Sequence, residues 1–112
     1  MIVVIFELWF HKDRRQDYFD LAAALRSELE TIDGFISVER FASLTEEGKY
    51  LSLSSWRDEE AVKRWRTTLN HRKAQREGRA GIFDNYRLRI ASVLRDYGMS
   101  ERAEAPDAYH SS

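Results

Sequence analysis

At Trp56 the sequence changes its period. Before it, Tyr50, Leu51, Leu53 and Trp56 form a short apolar run of strand-compatible residues, broken by Ser52, Ser54 and Ser55. After it, Ala61, Val62, Trp65 and Leu69 recur at helical spacing. Asp58 stands where a helix needs a cap, and Glu59 and Glu60 fall in the electropositive first turn. The helix is predicted to carry His71 and Gln75 and to stop near Gly78, a residue suited to the left-handed turn after a helix. Residues 49–79 therefore bring two tryptophans, a histidine and a basic cluster to one strand–helix junction, where a functional site is expected.

The rest of the chain reads around that junction. Residues 1–10 form a strand with Ile2, Val4, Phe6 and Leu8 on one face and Val3, Ile5, Glu7 and Trp9 on the other. Both faces are largely apolar, so both are expected to be covered. Asp13 is predicted to cap a helix over 14–31, with Gln16 completing a capping box. Tyr18, Leu21, Ala22, Leu25, Leu29 and Ile32 make its buried stripe. Asp33 and Gly34 end that helix, and a second strand is predicted over 35–44. A tight turn over 45–48, with Gly48 at positive φ, returns the chain antiparallel into the third strand over 49–56. A long final strand is predicted over 82–97, its length hinting at pairing with a second chain. Residues 99–112 hold the only proline and no apolar periodicity, and read as a tail after a domain over 1–98.

The order βαββαβ makes a ferredoxin-like α+β sandwich, a four-stranded antiparallel sheet with two helices on one face. A second copy of the chain is the simplest cover for the other face, so a homodimer is expected. With 112 residues and 43% hydrophobic content, the chain suits one domain with a real core. A formal charge of −1, with basic and acidic residues interspersed, gives no sign of nucleic-acid binding. There is no cysteine, which removes disulfides and thiolate chemistry, and His11, His71 and His110 sit at no usable metal-ligand spacing. The apolar opening is ten residues long and lacks a basic leader, so it reads as a strand rather than a signal peptide or a membrane span, with a cytoplasmic setting as the default.

Several stretches resemble the antibiotic biosynthesis monooxygenase family of dimeric α+β barrels. They are Gly34-Phe35, the strand ending in SSW, DEEAVKRW at the start of the second helix, HRKAQREGR at its close, and NYRLRIASV in the last strand. The resemblance covers roughly residues 1–98. It implies a pocket between helices and sheet in which Trp, Asn and Tyr-type residues polarise a substrate that activates oxygen itself, with no metal or flavin. Heme-degrading members resemble this plan and add a helix histidine as iron ligand, a first-strand Asn and a Trp. Here Trp65 matches the tryptophan of the second helix, and His71, six residues on, is the histidine near the ligand position. Gln75 stands where direct counting puts that ligand, and Glu7 and Trp9 occupy the first-strand positions in place of an Asn.

Each candidate has a functional and a packing reading. His71 is a proton acceptor, a heme ligand under the resemblance, or a residue favoured near a helix end by the dipole. Glu7, on an otherwise apolar strand, is a pocket base with a raised pKa or an ion-pair partner of Arg40 or Arg89. Trp9, Trp56 and Trp65 are walls for a flat ligand, or core and interface groups. Arg72, with Arg76 and Arg79, offers a fork for a carboxylate or forms a solvated helix end. Tyr86 offers a hydroxyl or packs with Leu88 and Ile90. Three functions follow: a cofactor-free monooxygenase of a flat quinol or phenolic substrate, a heme-binding or heme-degrading protein with His71 as axial ligand, and a non-catalytic binder of a small aromatic ligand.

Overall fold

The computed structural model describes the backbone of residues 1–75 and 83–106, and side chains over 1–67 and 84–106. Strand β1 (Ile2–Phe10) leads through a 3-10 turn (Lys12–Arg14) into helix α1 (Arg15–Leu29). Strands β2 (Phe35–Ala42) and β3 (Lys49–Trp56) follow, then helix α2 (Glu59–Gln75) and strand β4 (Phe83–Ser92). The strands form one sheet in the order β2-β3-β1-β4, every neighbouring pair antiparallel. This is the ferredoxin-like α+β arrangement.

Register fixes which side chains share a face, because residues directly opposite across an antiparallel pair point the same way. Val4 of β1 lies opposite Ser54 of β3 and Ile90 of β4, and Leu8 lies opposite Tyr50 and Tyr86. The even-numbered residues of β1 meet both helices. Ile2 and Val4 pack with Leu29 of α1, Ala61 and Val62 of α2, and Val38 and Trp56 from the sheet. Leu8 and Phe10 pack with Tyr18 and Ala22 of α1. Both helices therefore lie on one face. Val3, Ile5, Glu7 and Trp9 point to the other, which no helix among the described residues covers.

Some boundaries differ from the sequence reading. The expected capping box at Asp13 and Gln16 does not form. The chain takes a 3-10 turn first, no side chain caps α1, and Gln16 donates instead to Asp20 at 2.9 Å. Strand β2 ends at Ala42, where Ser43 turns the chain by accepting the N–H of Thr45 at 3.3 Å and of Glu46 at 3.1 Å. Strand β4 stops at Ser92 and is not the overlong strand expected over 82–97. Its partner runs out: Ser92 pairs with Ile2, and one further bond, Val93 N–H to Met1 C=O at 3.0 Å, closes the ladder. The predicted helix stop at Gly78 lies outside the described residues.

Candidate functional site

The strand–helix junction is held by an ion-paired clamp. Arg57 donates to both carboxylate oxygens of Asp33, at 3.2 and 3.1 Å, and to Asp58 at 3.1 Å. Arg64 donates to the Asp33 carbonyl at 2.9 Å, and the Arg57 N–H reaches the Gly34 carbonyl at 2.7 Å. Asp58 caps α2 as expected, accepting the Ala61 N–H at 3.0 Å. Hydrogen bonding from Arg57, then its charge, holds the Asp33 carboxyl below its ordinary range. Asp58 is lowered first by the Ala61 N–H and then by Arg57. The same carboxylates, Asp33 first, push the Arg57 guanidinium up, so it stays charged.

Behind the clamp Trp56 is fully buried, its indole N–H donating to Ser54 at 2.9 Å. Phe35 meets it edge-on at 5.4 Å between centroids, and Trp65 of α2 stacks on it at 6.3 Å with an interplanar angle of 27°. Trp56 is thus a core group rather than a wall at a pocket mouth. Trp65 is half-buried and presents its remaining surface beside that core.

The helix-side surface of β4 is different. Tyr86, Leu88 and Ile90 are 59%, 48% and 43% exposed, although their cross-strand neighbours Leu8, Phe6 and Val4 belong to or border the core. Phe6 meets Tyr86 edge-on at 5.7 Å. An apolar strip with one phenol therefore extends the helix-side layer, exposed and with no cover among the described residues, and Trp65 packs on the cluster that contains Val4. This strip, with Phe6 and Trp65, is the candidate site.

Glu7 and Trp9 are not part of it. Both project from the opposite face of the sheet, because odd positions of β1 point away from the helices. Glu7, 20% exposed, accepts from Arg89 at 2.6 Å and lies 3.3 Å from Lys49 Nζ. Hydrogen bonds from Lys49 and then Arg89 hold its carboxyl below the ordinary value. The raised pKa expected of a pocket base is overturned, and the ion pair with Arg89 is the arrangement present. Arg40 is engaged elsewhere, donating to the Ala22 carbonyl at 3.2 Å. Trp9 donates to Glu46 and carries Lys49 Nζ 5.0 Å over its ring. His71 and Arg72 belong to α2, but their side chains lie outside the described residues, as does the heme ligation expected of His71.

The sequence reading missed an aromatic nest at the other end of the helix-side layer. Phe10 stacks on Tyr18 at 5.1 Å, and Tyr50 lies 5.1 Å from Phe10 and 5.8 Å from Phe19. Arg15 sits 5.5 Å over Phe19 and donates to the Tyr50 hydroxyl at 3.4 Å. Burial raises the Tyr18 phenol, with the Arg40 charge pulling the other way. Three elements supply this nest, so only the cross-strand pairing of Tyr50 with Leu8 could have announced it.

Among the described residues no helix is long and apolar enough to cross a membrane. The sequence profile of the family described as antibiotic biosynthesis monooxygenase matches residues 1–77. A Pyricularia oryzae protein named jasmonate monooxygenase ABM is 44% identical over 110 residues, covering 96% of this chain and 51% of that protein. The chain thus spans about half the length of the curated relatives it matches. Among solved structures, a mutant of SnoaB from Streptomyces nogalater, described as a cofactor-independent oxygenase, superposes with a TM-score of 0.69 at 13% identity, covering 85% of this chain and 94% of its own. A mutant of MhuD with two manganese protoporphyrin IX bound per active site gives a TM-score of 0.69 at 18% identity, covering 88% of this chain and 99% of its own. At such identities these two likenesses speak to the fold alone.

Proposed function

Because this chain belongs to the antibiotic biosynthesis monooxygenase family, we propose that it is a monooxygenase of a small, largely apolar organic acid of the jasmonate class. The observation that carries this reading is the 44% identity to the Pyricularia oryzae jasmonate monooxygenase across nearly the whole of this chain. The uncovered strip of Leu88 and Ile90 suits an aliphatic substrate body, and the Tyr86 hydroxyl offers a donor to a carbonyl oxygen. His71 and Arg72, on α2 beyond Trp65, are assigned to proton transfer and to the substrate carboxylate. The uncovered face of the sheet, where Val3, Ile5, Leu51 and Leu53 are only half-buried and Phe41 is exposed, supports a homodimer.

A second reading, oxidation of a flat quinol or anthrone without any cofactor, is supported by the aromatic character of Phe6, Trp65 and Tyr86 around the strip. Electron balance separates the two. Turning an anthrone methylene into a carbonyl lets the substrate supply the electron pair that reduces the second oxygen atom to water. Hydroxylating a saturated C–H of a jasmonate needs that pair from an added reductant, such as a dihydronicotinamide or a reduced flavin. Oxygen uptake is therefore measured with jasmonic acid and with an anthrone, each with and without reductant, and products are weighed by mass spectrometry. Jasmonate gaining one oxygen atom only when reductant is present supports the first reading. Uptake with the anthrone alone moves the second to first place. Neither product under any condition sinks both.

A further inference from the structure

We infer that Arg66 is a specificity residue, its guanidinium receiving the carboxylate of a substrate on the β4 strip, so that the site selects free organic acids over their esters. This rests on the organic-acid reading above and adds Arg66 to the Arg72 named there. Three consecutive residues of α2 fix its direction, because successive side chains on an α-helix stand about 100° apart. Arg64 reaches the loop before β2, donating to the Asp33 carbonyl at 2.9 Å. Trp65 turns into the core, where it stacks on Trp56. Arg66, one step further round, is therefore turned away from β2, and β4 is the strand at the opposite edge of the sheet.

Val62, one turn earlier on nearly the same side of the helix, gives the level along the strand. It is 3% exposed and packs with Ile2 and Val4 of β1, and Ile90 is the β4 partner of Val4. Strand β4 lies one spacing beyond β1, about 5 Å. Arg66 thus stands beside the Leu88–Ile90 part of the strip. An arginine so placed can lay its aliphatic stem along those side chains and keep its charged head at the rim.

No acid neutralises that charge among the described residues. The helix positions three and four away from Arg66 hold Lys63, Val62, Leu69 and Asn70, so none supplies a helical ion pair. Lys63, by contrast, lies 3.6 Å from Glu60, and Arg64 lies 3.8 Å from Asp33. Arg66 is exposed and has no hydrogen bond or ion pair among the described residues. Strand β4 gives the strip no cation of its own, because Arg87 and Arg89 point to the open face, where Arg89 holds Glu7. A guanidinium matches both oxygens of a carboxylate with paired N–H donors, whereas an ester offers it no charge. An apolar floor with such a fork at its rim suits an amphiphilic organic acid.

Calorimetry measures the binding of jasmonic acid and of its methyl ester to the parent chain, Arg66→Gln and Arg66→Lys, with oxygen uptake in the presence of reductant recorded alongside. Arg66 is exposed and unpaired among the described residues, so both variants should fold as the parent does. Arg66→Gln is expected to weaken the acid at least about tenfold, the loss of a charge-assisted pair, and to leave the ester within about twofold. Arg66→Lys should recover part of the loss, because it restores the charge without the fork. An acid-to-ester ratio unchanged in Arg66→Gln overturns the anchor, as does a parent chain that binds the ester at least as tightly as the acid. Acid that is discriminated through Arg66 but never oxygenated overturns the monooxygenase reading and leaves the anchor standing. A parent that binds neither compound overturns both.

Discussion

At Gly34 the backbone φ is 94°, and a Cβ built there would lie 2.6 Å from the Ala61 Cβ. At Gly48 φ is 82°, but the nearest heavy atom to such a Cβ is the Phe10 carbonyl oxygen at 4.0 Å. The two glycines separate conformational strain from steric contact. Gly48→Ala is expected to cost about 1 kcal/mol, the strain of a left-handed residue alone. Gly34→Ala adds overpacking at the point where the loop before β2 touches α2, for a total of about 3 kcal/mol in a urea titration. Equal losses in the two variants would mean that the close approach at Ala61 relaxes freely. Acidic side chains supply a second expectation at this scale. Glu7, Asp33 and Asp58 all have folded-state values below their ordinary ones of 4.5, 3.8 and 3.8. Each therefore contributes stability that is present above its ordinary value and lost as pH falls through the lower folded value. Urea midpoints should hold steady from neutral pH down to the carboxylate range and then drop. Glu7→Gln should make that drop shallower; an equally steep drop would show that the ion pairs of Glu7 do not contribute.

Among the elements, α2 is the one whose start the sequence announced in full: Asp58, then acidic residues, then an apolar stripe. Asp58→Ala removes the acceptor of the Ala61 N–H and one arm of the Arg57 clamp. The thermal midpoint is expected to fall by about 5 °C, with helical circular dichroism retained below the transition. An unchanged midpoint would mean that the junction holds through Asp33 and Arg64 alone. Local signals of this kind made much of the fold legible, including the limits of β3 and the turn at Gly48. Where the reading went astray, a competing contact decided. Asp13 and Gln16 satisfy a capping pattern, yet Asp13 falls in a 3-10 turn closed by the Arg14 N–H on the His11 carbonyl, and Gln16 lies inside α1 and donates to Asp20. The alternation of β4 continues in sequence past Ser92, but a strand ends where its partner ends, and β1 begins at Ile2. The site suffered from the same limit. Trp65 follows from its helical spacing, whereas the burial of Trp56 and the exposure of Leu88 and Ile90 depend on how the helices lie over the sheet.

Across the whole molecule, the parity of β1 divides the candidate residues between two surfaces with different tasks. Phe6 shares the helix-side face with Tyr86, Leu88 and Ile90, whereas Ile5, Glu7 and Trp9 share the open face with Leu51, Leu53 and Arg89. One residue of displacement along β1 thus separates the proposed substrate surface from the proposed dimer surface. A matched pair of charges tests this division. Ile90→Arg places a cation on the helix-side strip at a position already 43% exposed, so folding should survive while substrate turnover falls at least about tenfold. Ile5→Arg places the same cation at the centre of the open face, where a second sheet would have to bury it unpaired. It should dissociate the dimer in a sedimentation experiment while leaving the far-ultraviolet circular dichroism of the monomer unchanged. If Ile90→Arg dissociated the dimer and Ile5→Arg left it intact, the assignment of the two faces would be reversed. If both variants lost both properties together, the substrate site would have to lie where the two copies meet, built from residues of each.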